Sequence, residues 1–452
     1  MMLKELPWFL NNFTELWRSG GLERRLVVVV KGLPGARKTL GVCRILRQVK
    51  GLVVFAEPRR KLRGWLAETL RDMGYEVFEF RAKDEFPECP LSGWRAPSSS
   101  NPLSEWVYYL RACMQARVSG KCPDPCPFKR QVEEFLGFSG QVIATTHGLA
   151  LLALLLRSVD VLVFDEGEEV AGCISGVEIP ESIVEELEKS PDRVDRLIAK
   201  KVRKRFYFEG GMYYMPFTTL RVPCLVVLSA TWTDEFNAVL RGVNDAWVYV
   251  EKRVRGLEPD LVLRCPCKLT DDRIDEWRGE VVETIVEACR RFRGTVGVVG
   301  RDKEFSMEVY GALRSKGLDA YYDPDNPSLR RAREARITIL TVGDRLFRGL
   351  SIDRDLVFAT YQHHPSSRIR LHPSIIFRLQ VEGVSVGRFW RRLTDAMNVQ
   401  AMFRFIRVHG KRHVVACLDS RAFDALEYFL PQYLYRCTVR EVQGVGEVLK
   451  YI

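Results

Sequence analysis

Short apolar runs rich in valine, isoleucine and leucine alternate with segments of helical periodicity along most of the chain, and this alternation constrains the fold more than any other feature. Apolar runs of about four to eight residues are typical of strands buried on both faces, as in parallel sheets covered by helices. The sequence therefore predicts an α/β protein built on parallel sheets. Strands are predicted at residues 26–30, 52–55, 142–145, 159–164, 225–228, 295–299, 337–341, 356–360 and 413–418.

These strands fall into two groups, which predicts two α/β domains joined after Thr231. The chain has 452 residues, 46% of them apolar, which is enough for about two to four domain cores. The longest apolar stretch, residues 148–156, is much shorter than the roughly 20 residues of a membrane span. An acid near the N-terminus interrupts the apolar run that a secretory signal would need. We expect a soluble, cytoplasmic protein with no membrane partner.

The formal charge of +11 suits a polyanionic partner such as nucleic acid. Basic thermophile proteins without nucleic-acid roles have a similar balance, so the charge alone does not identify the partner. Twelve cysteines in a chain of this length are too few for a disulfide scaffold. They indicate buried thiols or metal ligands.

A strand, a glycine-containing turn and a helical pattern follow one another at residues 27–39, which end in Lys-Gly-Leu-Pro-Gly-Ala-Arg-Lys-Thr. In a phosphate-binding loop, backbone amides and a helix N-terminus point at phosphate oxygens, a lysine reaches the terminal phosphates and a hydroxyl binds magnesium. An ordinary strand-to-helix turn is the alternative for this segment taken alone. The predicted nucleotide-binding residues are Gly32, Gly35, Arg37, Lys38 and Thr39.

A carboxylate pair, Asp165-Glu166, ends the strand predicted at residues 159–164. Phosphate-loop enzymes place their magnesium and attacking water at this position. Asp165 is predicted to hold magnesium with Thr39, and Glu166 to orient and deprotonate the water. A later strand ends in Ser-Ala-Thr at residues 229–231, a weak signal whose order along the chain supports the other two.

The order of these motifs resembles the superfamily 2 helicases. Residues 55–60 are similar to the motif that touches the nucleic-acid backbone, and residues 343–350 occupy the place of the fifth motif. Residues 400–407, Gln-Ala-Met-Phe-Arg-Phe-Ile-Arg, resemble the last motif. The resemblance implies that Gln400 belongs to the catalytic site and that Arg404 and Arg407 meet the γ-phosphate from the second domain.

Four cysteines fall between the phosphate loop and the Asp-Glu strand: Cys89, Cys113, Cys122 and Cys126. Four thiolates suit either an iron-sulfur cluster or zinc, and buried thiols without a ligand are a further possibility. Their position resembles the iron-sulfur helicases typified by XPD and bacterial DinG. That resemblance implies one [4Fe-4S] cluster held by these four residues.

The resemblance also implies an architecture of two RecA-like parallel-sheet motor domains, at residues 1–232 and 233–452. The first would contain a small four-cysteine cluster domain at 86–138 and a short arch-like insertion at 170–223. Basic residues crowd positions 193–205 of this insertion, and aromatic residues and a predicted hairpin follow them. Such a pattern indicates either a nucleic-acid contact or a solvated helix beside a packed hairpin.

The resemblance implies a monomeric helicase or translocase that depends on ATP and Mg²⁺. It would act on single-stranded or forked DNA with 5′ to 3′ polarity, and RNA is not excluded as a substrate. The alternative is a nucleotide-gated or ATPase-deficient nucleic-acid-binding subunit on the same scaffold. Three residues depart from the family pattern: Arg37 and Phe403 replace glycines, and Glu168 replaces a histidine. An outward Arg37 would meet nucleic acid or an acid such as Glu168, whereas an inward one would add charge to the site.

Overall fold

The computed structural model describes the chain in segments that carry two seven-stranded sheets and one three-stranded sheet. All strand pairs of the two large sheets are parallel, which confirms the predicted α/β class. The described residues are 3–32, 36–92, 113, 116, 119–123, 126–168, 170, 176–216, 222–242, 244–252, 259–268, 274–324, 328–341, 352–362, 373–406 and 412–452.

The first sheet consists mainly of apolar strands that are buried on both faces, because helices cover both of its sides. Its strands are β1 (Arg25–Lys31), β2 (Val53–Glu57), β3 (Val77–Glu79), β4 (Val142–Thr146), β5 (Val161–Asp165), β9 (Cys224–Ser229) and β10 (Asp245–Glu251). They lie in the order β10-β1-β9-β5-β2-β4-β3. The carboxyl ends of β1, β5 and β9 therefore meet at one edge, with Lys31 beside Ser229 and Asp165 beside Leu228.

The helices around this sheet differ in how much of their surface is apolar. Residues 148–156, the longest apolar stretch, belong to α5, in which every residue except Gly148 is buried. A helix that is apolar all round is expected in such a core position. These helices are α1 (Leu6–Arg18), α2 (Lys38–Ile45), α3 (Arg60–Asp72), α4 (Pro127–Gly137), α5 (His147–Leu156) and α8 (Asp234–Leu240), with 3₁₀ turns at Leu3–Glu5, Leu46–Gln48 and Lys83–Glu85.

The insertion between β5 and β9 forms a small layer of its own. It contains β6 (Gly176–Pro180), α6 (Glu181–Lys189), α7 (Arg193–Arg205), β7 (Tyr207–Glu209) and β8 (Met212–Pro216). The three strands are antiparallel in the order β6-β8-β7, and the hairpin predicted at Gly210 and Gly211 is confirmed. Asp192 begins α7 by accepting a hydrogen bond of 2.7 Å from the amide of Val194.

The second sheet repeats the architecture of the first. Its strands are β11 (Leu261–Arg264), β12 (Val296–Gly300), β13 (Ala320–Tyr321), β14 (Ile337–Thr341), β15 (Leu356–Ala359), β16 (Val414–Cys417) and β17 (Thr438–Glu441), in the order β13-β14-β12-β15-β16-β11-β17. Its helices are α9 (Ile274–Arg291), α10 (Lys303–Ser315), α11 (Leu329–Glu334), α12 (Pro373–Val381), α13 (Val386–Met402), α14 (Ser420–Phe429) and α15 (Pro431–Leu434), with a 3₁₀ turn at Val445–Lys450. All nine predicted strands are present.

Helix α13 joins the two halves of the molecule. Phe389 near its start packs in the core of the first sheet, 5.7 Å from the ring of Phe236, whereas Met402 at its end belongs to the core of the second. Arg388 forms an ion pair of 2.6 Å with the buried Glu235 of α8. The first sheet also extends past the predicted boundary at residue 232, since β10 pairs with β1. No helix among the described residues combines the length and the apolar character needed to span a membrane.

Candidate functional site

The predicted phosphate loop lies between β1 and α2 at the carboxyl edge of the first sheet. Gly32 is packed so closely that a Cβ atom there would lie 2.8 Å from the carbonyl oxygen of Lys252. Lys38 begins α2, and its ammonium donates a hydrogen bond of 2.8 Å to the carbonyl oxygen of Gly32. Gly35 lies outside the described residues. The lysine predicted to reach a phosphate chain thus folds back over the loop.

Arg37, which stands in place of the last glycine of the motif, has φ 52° and ψ 42°. This left-handed conformation costs a residue with a side chain about 1 kcal/mol or more, which is why such loops favour glycine here. The side chain of Arg37 is exposed. Its carbonyl oxygen accepts two hydrogen bonds, from the amide of Gly41 at 3.0 Å and from the ammonium of Lys252 at 2.8 Å.

The two predicted magnesium ligands lie side by side. The hydroxyl of Thr39 donates a hydrogen bond of 2.5 Å to Oδ2 of Asp165, and the amide of Glu166 donates to Oδ1 of the same carboxylate at 3.0 Å. Burial raises the pKa of Asp165, and the charge of Glu166 adds to that effect, while the Thr39 hydrogen bond opposes it. A hydroxyl and a carboxylate in contact provide the oxygen ligands that magnesium prefers.

A third carboxyl, Glu57, lies under this pair at the end of β2. Its neighbour Ala56 is paired with Phe164 in the parallel register of β2 and β5, which sets Glu57 beside Asp165. Glu57 is only 1% exposed, and its Oε1 has no hydrogen-bond partner among the described residues. Burial, followed by the charges of Asp165 and Glu166, raises the pKa of Glu57 well above its ordinary value. In sequence this residue falls in the motif at residues 55–60, whose predicted contact with nucleic acid would have to come from residues other than the buried Glu57.

Glu168 connects the Asp-Glu segment to the Ser-Ala-Thr segment. Its Oε1 accepts hydrogen bonds from the hydroxyl of Ser229 and from the amide and hydroxyl of Thr231, the last two at 3.0 and 2.6 Å. Glu168 is 2% exposed. The suggested charge pair between Arg37 and Glu168 is therefore wrong, because one side chain is exposed and the other is buried among hydroxyls.

Two predicted catalytic residues reach this site from the second half of the chain. Nη2 of Arg404, which is 3% exposed, donates a hydrogen bond of 2.8 Å to Oε1 of Glu166. The side-chain amide of Gln400 donates to the hydroxyl of Thr231 at 3.3 Å. Arg407, the other predicted finger, lies outside the described residues, as do residues 343–350. The site is thus shared between the two sheets.

The cysteine segment is described only in part, since residues 93–112 lie outside the described ranges. Cys89 and Cys113 pack together with Leu91 in a small buried cluster. Burial raises the pKa of Cys89, and the nearby thiols of Cys113 and Cys126 raise it further. The ammonium of Lys83 lies 3.4 Å from the sulfur of Cys113.

Thiolates are the donors that zinc and iron-sulfur clusters take, and the charges of three of the four predicted ligands influence one another. Cys122 is half-buried. No group of three or more histidine, cysteine or acidic side chains among the described residues is arranged to hold a metal ion. The structure therefore brings Cys89 and Cys113 together but shows no assembled coordination site among the described residues.

The basic helix α7 of the insertion presents an exposed face. Arg193, Lys200 and Lys204 are exposed and form no ion pair within the described part of the chain. Arg203 instead forms an ion pair with Glu188. Burial, and then the charges of Arg205, Lys204 and Lys200, lower the pKa of Lys201, which shows how densely cations are placed here. Two aromatic side chains on the edge strand β7 stand next to this helix in the sequence and are exposed by 63% and 44%: Tyr207 and Phe208.

Comparison with solved structures finds a similar fold in XPD helicases. The chain is similar to an XPD helicase structure with a TM-score of 0.58 and 13% sequence identity, over 97% of this chain and 99% of that one. It is similar to S. tokodaii Xpd4 with a TM-score of 0.56 and 12% identity, over 96% and 99% of the two chains. A structure of apo XPD matches with a TM-score of 0.56 and 11% identity, over 96% and 100%. No protein-family model and no curated protein matches the chain.

These matches show that the chain has the fold of XPD helicase structures, with two RecA-like parallel sheets, as the resemblance implied. Structural similarity at such low sequence identity shows the fold alone, whereas the chemistry rests on the residues of the site. The boundaries of the four predicted domains stay predictions. Sequence reasoning did not assign a role to Glu57 or Lys252, both of which lie at the phosphate site. Glu57 at the end of an apolar strand was a usable signal, because carboxyl ends of parallel strands share one edge.

Proposed function

We propose that this protein is an ATP-dependent motor, a helicase or translocase, that moves along single-stranded nucleic acid. The contact between Arg404 and Glu166 supports this proposal most directly, because it joins the two RecA-like domains at the predicted hydrolytic carboxylate. A nucleotide bound at the phosphate loop would lie between these domains. Hydrolysis would then change how the domains are held together.

The residues of the first domain would bind and activate the nucleotide. Lys38 would exchange its bond to Gly32 for the phosphate oxygens, and Thr39 and Asp165 would hold Mg²⁺. When bound, Mg²⁺ supplies positive charge to the β- and γ-phosphates. Glu166 would orient the water and accept its proton as the water oxygen attacks the γ-phosphorus and ADP leaves.

Arg404 would act as the trigger of this step. Arg404 is paired with Glu166, and a γ-phosphate would compete for the same guanidinium. Transfer of Arg404 to the phosphate would free the carboxylate of Glu166 to act on water. Arg407 is proposed as a second finger and Gln400 as a link that senses closure through Thr231.

Single-stranded DNA is the proposed substrate, either alone or at a fork, with 5′ to 3′ polarity. The exposed cations of α7 and the exposed rings of Tyr207 and Phe208 support a strand contact, since basic side chains follow phosphates and aromatic rings stack on bases. RNA also offers phosphates and bases that can stack, so the experiment has to compare DNA with RNA. We propose a monomer, because both halves of the ATP site come from one chain.

We further propose that Cys89, Cys113, Cys122 and Cys126 hold one [4Fe-4S] cluster. The burial of the first two thiols and the proximity of Cys126 support this assignment. Zinc is the alternative for four thiolates. When bound, either group would cross-link a segment that has only a small apolar core of its own.

The decisive experiment measures ATP turnover without nucleic acid, with single-stranded DNA and with single-stranded RNA of the same sequence. We expect DNA to stimulate turnover, and strand separation on forks with a 5′ tail but not a 3′ tail. Stronger stimulation by RNA would reassign the substrate, and 3′-tail preference would reverse the polarity.

The alternative function is a nucleic-acid-binding subunit that has lost its ATPase. The left-handed Arg37 favours it, because a side chain now occupies the position at which the phosphate loop needs glycine. Binding of single-stranded DNA with no turnover under any of these conditions would establish this alternative.

A further inference from the structure

A second lysine reaches the phosphate loop from the opposite side of β1. Lys252 follows β10, the edge strand, and its amide donates a hydrogen bond of 2.7 Å to the carbonyl oxygen of Lys31 at the end of β1. Its ammonium donates to the carbonyl oxygen of Arg37 at 2.8 Å. Lys252 thus ties the end of β10 to the residue that precedes α2.

The surrounding backbone leaves room for this lysine. A Cβ atom on Gly41 would lie 2.8 Å from its ammonium nitrogen, and one on Gly32 would lie 2.8 Å from its carbonyl oxygen. Glycines on both sides of Lys252 therefore permit an approach that any side chain would obstruct.

The contact meets a specific need of this loop. Arg37 adopts the left-handed conformation and is strained in it, whereas a glycine there would not be. The carbonyl oxygen of Arg37 also accepts the first hydrogen bond of α2, from the amide of Gly41 at 3.0 Å. A charge-assisted hydrogen bond to that same oxygen fixes the peptide in the orientation that begins the helix.

Electrostatics are consistent with a lysine held in place by this carbonyl. Burial, and then the charges of Arg44 and Arg37, lower the pKa of Lys252. The two arginines repel the ammonium of Lys252, and its hydrogen bond to the carbonyl oxygen of Arg37 offsets that repulsion. Arg37 and Arg44 are exposed, whereas Lys252 is half-buried against the loop.

We propose that Lys252 is a positioning residue of the phosphate loop, which compensates for the arginine at position 37 by holding its carbonyl oxygen. This inference rests on the proposed function in one respect, namely that the loop binds a nucleotide. It predicts that the importance of Lys252 depends on what residue 37 is.

The test measures binding of a fluorescent ATP analogue to the full chain without nucleic acid. We expect Lys252→Met to weaken binding about tenfold, the scale of one charge-assisted hydrogen bond. In the Arg37→Gly background the same change should cost less than about threefold, because glycine needs no support. Lys252→Arg, which retains a donor, should bind within about threefold of the parent. Lys50→Met, an exposed lysine of the same domain, is the matched control.

An equal loss in both backgrounds would overturn the proposal, since Lys252 would then act on the nucleotide and not through Arg37. No loss in Lys252→Met would overturn it as well. Steady-state kinetics of ATP hydrolysis add a further check. Lys252→Met should raise KM and change kcat less than about threefold.

Hydrogen exchange in the nucleotide-free protein tests the same contact without any ligand. We expect the amide of Gly41, which bonds to the carbonyl of Arg37, to exchange about tenfold faster in Lys252→Met and unchanged in Lys50→Met. Unchanged exchange in both would overturn the proposal. If the parent and Lys38→Ala proteins alike bind no nucleotide, the proposed function fails, and this exchange measurement still decides the role of Lys252.

Discussion

The phosphate site and the cysteine segment are both composed of side chains brought together from distant parts of the chain, but they are held in different ways. At the candidate phosphate site, Thr39 forms a direct hydrogen bond with Asp165, which lies 126 positions later in the chain. Arg404 forms one with Glu166, which lies 238 positions earlier. In the cysteine segment, two thiols share a small buried cluster with one leucine. The described residues of the first site are thus joined by direct hydrogen bonds, whereas we propose that the second depends on the group that its cysteines would hold.

The difference follows from what carries each site. The carboxyl ends of β1, β5 and β9 are fixed by the backbone ladder of the first sheet, so the side chains at those ends have little freedom. Cys89 and Cys122 lie in bends, Cys113 is helical, and Cys126 immediately precedes α4. Segments of this kind gain their order from a bound metal or cluster. The comparison predicts that ligand removal affects the two sites very differently.

The largest expected effect is the loss of hydrolysis in Glu166→Gln. The amide cannot accept a proton from water, so turnover should fall by about 10²–10⁴-fold while ATP still binds. Turnover and binding of a fluorescent ATP analogue, measured on one preparation, check both parts.

Lys38→Ala is the matched variant, because it should lose binding itself by removing the cation that neutralises the phosphates. Parental turnover in both variants would place the ATP site elsewhere. The hydrogen-bonded site at the end of the first sheet would then not be the ATP site. That result would favour the alternative of a nucleic-acid-binding subunit without ATPase activity.

The next effect concerns the cysteine segment. Anaerobically purified protein should contain about four iron and four acid-labile sulfide atoms, and Cys113→Ser should lose both. ATP turnover without nucleic acid should stay within about threefold of the parent, because the two sites are separate. Strand separation should be lost. Metal analysis, sulfide analysis and fork unwinding provide the measurements.

Cys43→Ser is the control for this prediction. Cys43 is buried in the core of the first sheet, where burial raises its pKa to about 12, and it should therefore remain a thiol without a ligand. Stoichiometric zinc without sulfide in the parent protein would refute the iron-sulfur assignment. A simultaneous collapse of basal turnover in Cys113→Ser would show that the two sites are not independent.

Much of this fold could be predicted from the sequence because buried parallel strands are continuous apolar runs, as in residues 225–228 of β9. Several of the strands that were missed lack this signal, although β11, Leu-Val-Leu-Arg, has a short form of it. β10, Asp-Ala-Trp-Val-Tyr-Val-Glu, is a partly exposed edge strand, and β13 has only two residues. β10 also continues the first sheet past residue 232, because that strand returns to pair with β1.

The residues of the candidate site also include some that the sequence could predict and some that it could not. Lys38, Thr39, Asp165 and Glu166 could be predicted because their spacing from a strand end fixes where they lie. The carboxylate of Glu168 could not be assigned to Ser229 and Thr231, since that contact depends on strand order within the sheet. Lys252 lies far from any motif, so only tertiary structure reveals it.

A smaller effect tests the buried carboxyl beneath the phosphate site. The pKa of Glu57 is raised in the folded protein, so the unfolded chain ionises first as the pH rises, and the parent loses stability above the ordinary pKa of this group. Glu57→Gln removes that loss. Relative to the parent, its free energy of unfolding should therefore be higher at about pH 8 than at about pH 4.

Denaturant unfolding at the two pH values, without nucleotide or magnesium, provides this measurement. Glu68→Gln, on the exposed face of α3, is the control and should show no such change with pH. If the free energies of unfolding of Glu57→Gln and the parent differ equally at both pH values, the pKa of Glu57 is not raised in the folded protein. The phosphate site would then be less tightly enclosed than the structure indicates.

The smallest expected effect is a coupling energy close to zero between the two unusual residues of the site. Arg37→Gly should hydrolyse ATP at least as fast as the parent, because glycine relieves the left-handed strain. Glu168→His should slow hydrolysis about tenfold, because the imidazole cannot replace the oxygen that accepts three hydrogen bonds from Ser229 and Thr231. Since Arg37 is exposed and Glu168 is buried, the double variant should show the sum of the two effects within about 0.5 kcal/mol. A larger coupling would show that the two side chains meet during turnover, and hence that the phosphate site rearranges more than its direct hydrogen bonds suggest.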